Sequence, residues 1–207
     1  SQAHYLCEQA LTQAAQGDLA AAQRLLESAI AAAPGAARAR IELARLLQRQ
    51  GDAPGALAAL LKLAEDAPSA LPLAAALLVE LATATGRSAE IRALLLRHYE
   101  QFPSLDLLEG IVALDLAPNA PAGPGREWYV RHLEKEPSLV AASKWLATET
   151  LAHEEFHPQI QRALDVAVKP LTRYRCAACG FEARQHFWQC PGCQTWDSYP
   201  ARRVEEL

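Results

Sequence analysis

Methionine is missing from this chain altogether, aromatic residues make up only 6% of it, and a single cysteine, Cys7, precedes residue 176. Each scarcity excludes something. A secreted fold stapled by disulfides scatters its cysteines, and this one does not; a reducing compartment is expected. Excess charge is lacking too: 20 basic residues against 24 acidic ones leave a net charge of -4. Nothing in that balance suits nucleic acid or an anionic membrane surface. No uninterrupted run of 18 apolar residues occurs, so no membrane-crossing helix is expected. With no initiating methionine and an opening inside a helical pattern, the chain reads as the C-terminal part of a longer protein, any leader or anchor lying before residue 1. What the chain has is a 51% hydrophobic content with a mean hydropathy of -0.06, enough apolar surface for a globular core.

It also has a period. GDLAAAQRLLESAIAAAP, from Gly17 to Pro34, lies over GDAPGALAALLKLAEDAP, from Gly51 to Pro68, at an offset of 34 residues. Gly-Asp ends one helix and opens the next, and proline closes the second. The pattern returns, shifted by one, as GRSAEIRALLLRHYEQFP from Gly86 to Pro103. This period and punctuation are the tetratricopeptide signature of paired antiparallel helices. Ala22 and Ala56, Ala29 and Leu63, and Ala44 occupy the slots where helices approach closely. After Pro103 the repeat wears: SLDLLEGIVALDLA reads as a helix, PNAPAGPG as a linker too broken for a helical turn, and REWYVRHLEKEP as the close of a fourth unit. Two further helices follow, SLVAASKWLATETL and PQIQRALDVAVKPL. The expected architecture is an all-α tetratricopeptide solenoid over 1–171 and a small rubredoxin-like four-cysteine metal-binding module over 172–207.

In such arrays the first helix of each pair lines the concave face. Counting back from each proline puts His4, Cys7 and Leu11, then Arg38, Ile41, Arg45 and Gln48, then Leu73, Ala76, Glu80 and Thr83 on it. Arg38, Ile41, Arg45, Gln48 and Glu80 form the expected partner-binding set. Arg38 and Arg45 lie seven apart, hence on one face, where they could clamp a carboxylate.

Two stretches resemble metal sites. HEEFH, from His153 to His157, matches the zinc-protease pattern, which needs both imidazoles on one helix face and a third ligand. Pro158 pushes His157 to the start of a helix rather than its middle, and no third ligand follows. His153, Glu154, Glu155 and His157 therefore read as a solvated junction, and no catalytic residue is expected anywhere. The cysteines differ. Cys176, Cys179, Cys190 and Cys193 form C-x2-C-x10-C-x2-C, two tight turns that present four thiolates to one point. Four soft anionic ligands suit one Zn2+ or iron ion, and a closed shell leaves no position for hydrolysis. The module is rich in aromatics. Phe187, with Trp188 or Trp196, is expected to dock it onto the apolar face of the last helix at Leu164, Val168 and Leu171, while ARRVEEL reads as a solvated tail.

YRCAACGF and WQCPGCQTW close to the end of a repeat-bearing chain resemble the lipopolysaccharide assembly protein B family. The resemblance implies a cytoplasmic protein held at the bacterial inner membrane by an N-terminal helix. It implies an adaptor that presents the lipid A pathway deacetylase LpxC to the membrane protease FtsH, and carries the metal ligands onto the same four cysteines. Ten residues separate the two knuckles, fewer than in electron-carrying rubredoxins, and Gln194 stands where a glycine usually follows the last cysteine. A rubredoxin-like electron carrier fused to an interaction domain is the competing reading.

Overall fold

Gly17, Gly51 and Gly86 all adopt left-handed backbone, with φ of 89°, 84° and 68°. That conformation closes a helix C-terminus, and glycine enters it without steric cost. Behind each glycine the next amide reaches back across the last turn: Asp18 N to Gln13 O, Asp52 N to Leu47 O, Arg87 N to Ala82 O. Asp18 and Asp52 then open the following helices, each carboxylate accepting an N–H three residues on, from Ala21 and Gly55. Helix termination and initiation are thus compressed into two residues, and the repeat is written in that dipeptide.

The computed structural model describes residues 2–116, 123–149 and 155–207. Two compact units make up the chain, Ser1–Ile91 and Arg92–Leu207. The first contains α1 (Gln2–Ala15), α2 (Leu19–Ala32), α3 (Ala37–Arg49), α4 (Ala53–Asp66) and α5 (Leu71–Thr85). Its interior holds the small slots the sequence marks: Ala22, Ala29, Ala44, Ala56 and Leu63 are all buried. Around them pack Leu26, Leu46, Leu57, Leu60, Leu71, Leu78 and Leu81, each worth about 2 kcal/mol of burial. One expectation needs amending. Pro68–Thr85 is long and apolar enough, by length and composition, to cross a membrane. Leu71, Ala74, Ala75, Leu78, Leu81 and Ala82, about a third of that stretch, are buried.

Helix α6 (Ser88–Gln101) runs across the boundary, and the second unit continues with α7 (Leu105–Asp115), α8 (Gly123–Lys135), α9 (Leu139–Thr148) and α10 (His157–Val168). Its core is built on Tyr99, which is fully buried, lies edge-on to Trp128 and shares a 2.8 Å hydrogen bond with His132 Nδ1. Trp128 Nε1 in turn donates to Asp115, which also pairs with Arg92. Part of the expected linker is helical after all. Helix α8 begins at Gly123, with Pro124 in the first turn, where its missing N–H has no intrahelical acceptor to lose. The rest of that linker, 118–122, falls outside the described residues.

Beyond α10 the chain turns into a two-stranded antiparallel sheet, β1 (Tyr174–Arg175) with β2 (Glu182–Ala183), Tyr174 facing Ala183. This four-cysteine module belongs to the same compact unit as α7 to α10.

Candidate metal centre

The two halves of the module are built alike, fourteen residues apart. Cys176 N donates to Phe181 O and Gly180 N to Cys176 O; Cys190 N donates to Thr195 O and Gln194 N to Cys190 O. Each turn bends the chain so that its two sulfurs converge. The fifth residue must be left-handed: Gly180 has φ 78°, and Gln194 takes the same conformation at φ 60° although it bears a side chain. The departure seen in the sequence at Gln194 therefore changes the residue and keeps the geometry.

All four Sγ atoms lie within 4.8 Å of one another. Cys176 and Cys193 are 3.8 Å apart, Cys179 and Cys190 3.7 Å. Four thiolates about 2.3 Å from a central ion stand about 3.8 Å apart at the corners of a tetrahedron, so these distances are those of a metal-binding set. Donors gather round the sulfurs. Gly192 N points at Cys190 Sγ, and the Ser198 hydroxyl lies 3.2 Å from Cys176 Sγ. That hydroxyl, followed by the backbone N–H groups of the first knuckle, draws the Cys176 thiol down to about 6. Cys176 and Cys190 are buried, while Cys179 and Cys193 face outward. Cys7 behaves oppositely: burial pushes its thiol up to about 11, the value of an inert packed residue.

Two of the expected docking residues make ring contacts within the module. Trp188 packs edge-on to His186, with 4.7 Å between centroids, and Phe187 meets Tyr199. His186 also contacts Tyr174 and Tyr199, and its Nε2 donates to the Tyr199 carbonyl at 3.0 Å. Trp196 stands beside this cluster in sequence, its neighbour across an isolated bridge being Gln189. The ring contacts of Phe187 and Trp188 are thus spent inside the module, which uses its aromatics as a small core around His186. Leu164 and Val168 on α10 are only partly covered, and α10 has no buried residue.

Attachment to the helices comes from the segment read as a solvated tail. Arg203 forks onto Asp106 with bonds of 2.9 and 2.8 Å, donates to Thr172 O, and stacks 4.2 Å over Tyr174. Glu206 accepts the first amide of α7, Leu105 N, at 2.7 Å. Glu205 accepts from Ser138 Oγ and from Leu139 N and Val140 N, the first amides of α9. Burial raises the Glu206 carboxyl above its ordinary value, and the N–H donors of Arg203 and Leu105 oppose that rise. The signal was present in the sequence. Pro-Ser-Leu occurs at 103–105 and again 34 residues later at 137–139, and exposed helix N-termini attract carboxylates.

The expected groove set divides. Arg38 is 6% exposed and paired with Glu8 on α1, and Ile41 is 2% exposed, so both are packed between helices rather than offered to a partner. Seven-residue spacing puts Arg38 and Arg45 on one face, but Glu8 of α1 reaches only the Arg38 end of it. Arg45 is exposed beside Glu42, and Gln48 donates to Glu80 at 3.1 Å, linking the first helices of consecutive pairs. Of the protease-like stretch, His153 and Glu154 lie outside the described residues. His157 is the first residue of α10, with Pro158 behind it, and its Nε2 lies 3.3 Å from Leu146 O.

Residues 174–199 match the family described as Rubredoxin metal binding domain, and residues 13–81 match Tetratricopeptide repeat. Among solved structures, MamA is similar at 15% identity, covering 75% of this chain and 87% of its own, with a TM-score of 0.42. Lipopolysaccharide assembly protein B from Escherichia coli (strain K12) is 27% identical across 99% of this chain and 54% of its own length. The protein of that name from Escherichia coli O157:H7 matches to the same extent. The chain spans about half the length of these curated relatives. In its repeats, in its cysteine module and along nearly all of its length, then, this chain is similar to lipopolysaccharide assembly protein B.

Proposed function

We propose that this chain acts as a non-enzymatic adaptor in lipopolysaccharide assembly at the cytoplasmic face of the inner membrane. On this reading it brings the lipid A pathway deacetylase LpxC to the protease FtsH and so restrains lipopolysaccharide output. The observation that carries the non-catalytic part is the closed tetrahedron of sulfurs: Cys176, Cys179, Cys190 and Cys193 use every position of a four-coordinate ion. One zinc or iron ion held there supplies cross-linking in place of a core that so short a segment lacks. Similarity to lipopolysaccharide assembly protein B supports the pathway. Of the expected partner-binding set, Arg45, Gln48 and Glu80 remain for a client once Arg38 and Ile41 are set aside.

The test is reconstitution. Purified LpxC and vesicle-embedded FtsH are combined with and without the chain's natural full-length protein, and LpxC loss is followed in time. Faster loss with the protein present, reduced several-fold by Arg45→Glu with Glu80→Lys, is the expected result. An unchanged rate, with no LpxC binding in a titration, overturns the reading. The electron-carrier alternative draws on the same sulfurs, which fit iron equally well. Reversible one-electron reduction of the iron-loaded protein, coupled to a redox partner, would favour it.

A further inference from the structure

Glu205 and Glu206 are neighbours in sequence, yet they serve different helices: Glu206 accepts the first amide of α7, Glu205 the first two of α9. Those two helix starts are equivalent positions of the 34-residue period, Pro103-Ser104-Leu105 and Pro137-Ser138-Leu139. A helix N-terminus leaves amides without intrahelical partners, and a carboxylate is the best group to take them. Ser138 caps its own helix at Ala141 N and also donates to Glu205, whereas the Ser104 side chain does not cap its helix, its buried hydroxyl having no partner among the described residues. At α7 the acid from residue 206 therefore stands in for the missing cap.

The same few residues close the module. Val204 N donates to Arg173 O and Glu205 N to Leu171 O, so the chain entering the module and the chain leaving it are bonded together where the acids reach the helices. Arg203 completes the junction, bound to Asp106 in the first turn of α7 and stacked on Tyr174 at the start of β1. Beneath lies a cavity of about 90 Å3, lined among others by Pro103, His132, Pro137 and Arg202. None of these contacts involves a cysteine sulfur.

We infer that residues 203–206 form a latch that fixes the four-cysteine module to two successive repeats at once, and that reads their spacing. Each acid holds one helix start, and the two acids are covalently adjacent. The latch closes fully only while the starts of α7 and α9 stand where neighbouring side chains can reach both. A change of pitch at this point in the array, whatever produces it, withdraws one acceptor and loosens the other. Module position is thereby coupled to the conformation of the helices and uncoupled from metal binding. This inference does not depend on who the client is.

The experiment uses the zinc-loaded chain and its Glu205→Ala/Glu206→Ala variant. Zinc content and far-ultraviolet circular dichroism are expected to be unchanged. Hydrogen-exchange protection of the Leu105, Leu139 and Val140 amides should be lost, and NMR relaxation should show module amides reorienting faster than those of α7 to α9. The single variant Glu206→Ala should deprotect Leu139 and Val140 as well as Leu105, since the two caps act as one. If the double variant fails to fold, the single variants Glu205→Ala and Glu206→Ala, each of which removes one acceptor, are read in the same way. Retained protection with a module still moving as one body with the helices overturns the latch. Zinc loss in the variant overturns it too, by making these residues part of the module's own fold. Deprotection of Leu105 alone in the single variant overturns the coupling.

Discussion

A single dihedral carries much of the metal site. Gln194 holds φ at 60° where the equivalent position of the other knuckle is Gly180, and a side chain in that region costs about 1–2 kcal/mol. Replacing it with glycine relieves that strain, offset in part by the greater freedom of the unfolded chain, so Gln194→Gly should stabilise the module by about 0.5–1 kcal/mol. Equilibrium zinc release against a chelator of known affinity measures the gain; weaker zinc retention would refute the assignment of strain. Residue identity could be read at this site because ligand chemistry is local: two C-x-x-C pairs specify their own geometry. Arg38 shows where such reading stops. Its spacing from Arg45 was visible, but only the position of α1 decides that one arginine is buried against Glu8 and the other open to solvent. Charge at a helical position says which face, and tertiary packing says what covers it.

Among the elements, the helix pairs were legible wherever Gly-Asp and proline recur, since a left-handed glycine and an aspartate cap act within five residues. The weaker signals were those made between distant segments. Helix α8 begins within the stretch read as a linker because proline is harmless in a first turn. The tail reads as solvated from its own residues because its partners lie 66 and 101 residues away, and only the recurrence of Pro-Ser-Leu at both helix starts points to them. Between α6, α7 and α8 the network Arg92–Asp115–Trp128 is an acid-sensitive joint. The Arg92 hydrogen bond is the main influence holding the Asp115 carboxyl below its usual value, helped by the Trp128 N–H. A depressed carboxylate contributes stability that is complete above its unfolded value, about pH 4, and is lost as pH falls through its lower folded value. Asp115→Asn should therefore flatten the fall in thermal stability below about pH 4 relative to the parent chain. An unaltered slope in that window would show that Asp115 does not report the joint.

At the scale of the whole molecule, stability comes from two sources that should separate. Helical repeats rest on buried leucine and alanine, and the module rests on four thiolates and a cluster of rings about His186. Chelation should melt the module, seen as collapse of its NMR dispersion, and leave most of the helical circular dichroism in place. Simultaneous loss of both signals would mean that the metal supports the array as well. The latch has a further consequence for how such a chain can lengthen. Solenoids grow by duplicating whole repeats, and an extra pair of helices is ordinarily tolerated anywhere along the stack. Here two adjacent glutamates bridge the starts of α7 and α9, and a duplicated pair inserted between those helices would carry one start beyond reach. Duplication ahead of α7 leaves both starts side by side. Repeat number is free on one side of the latch and fixed beneath it, so the length of the array can vary while the seat of the metal module does not.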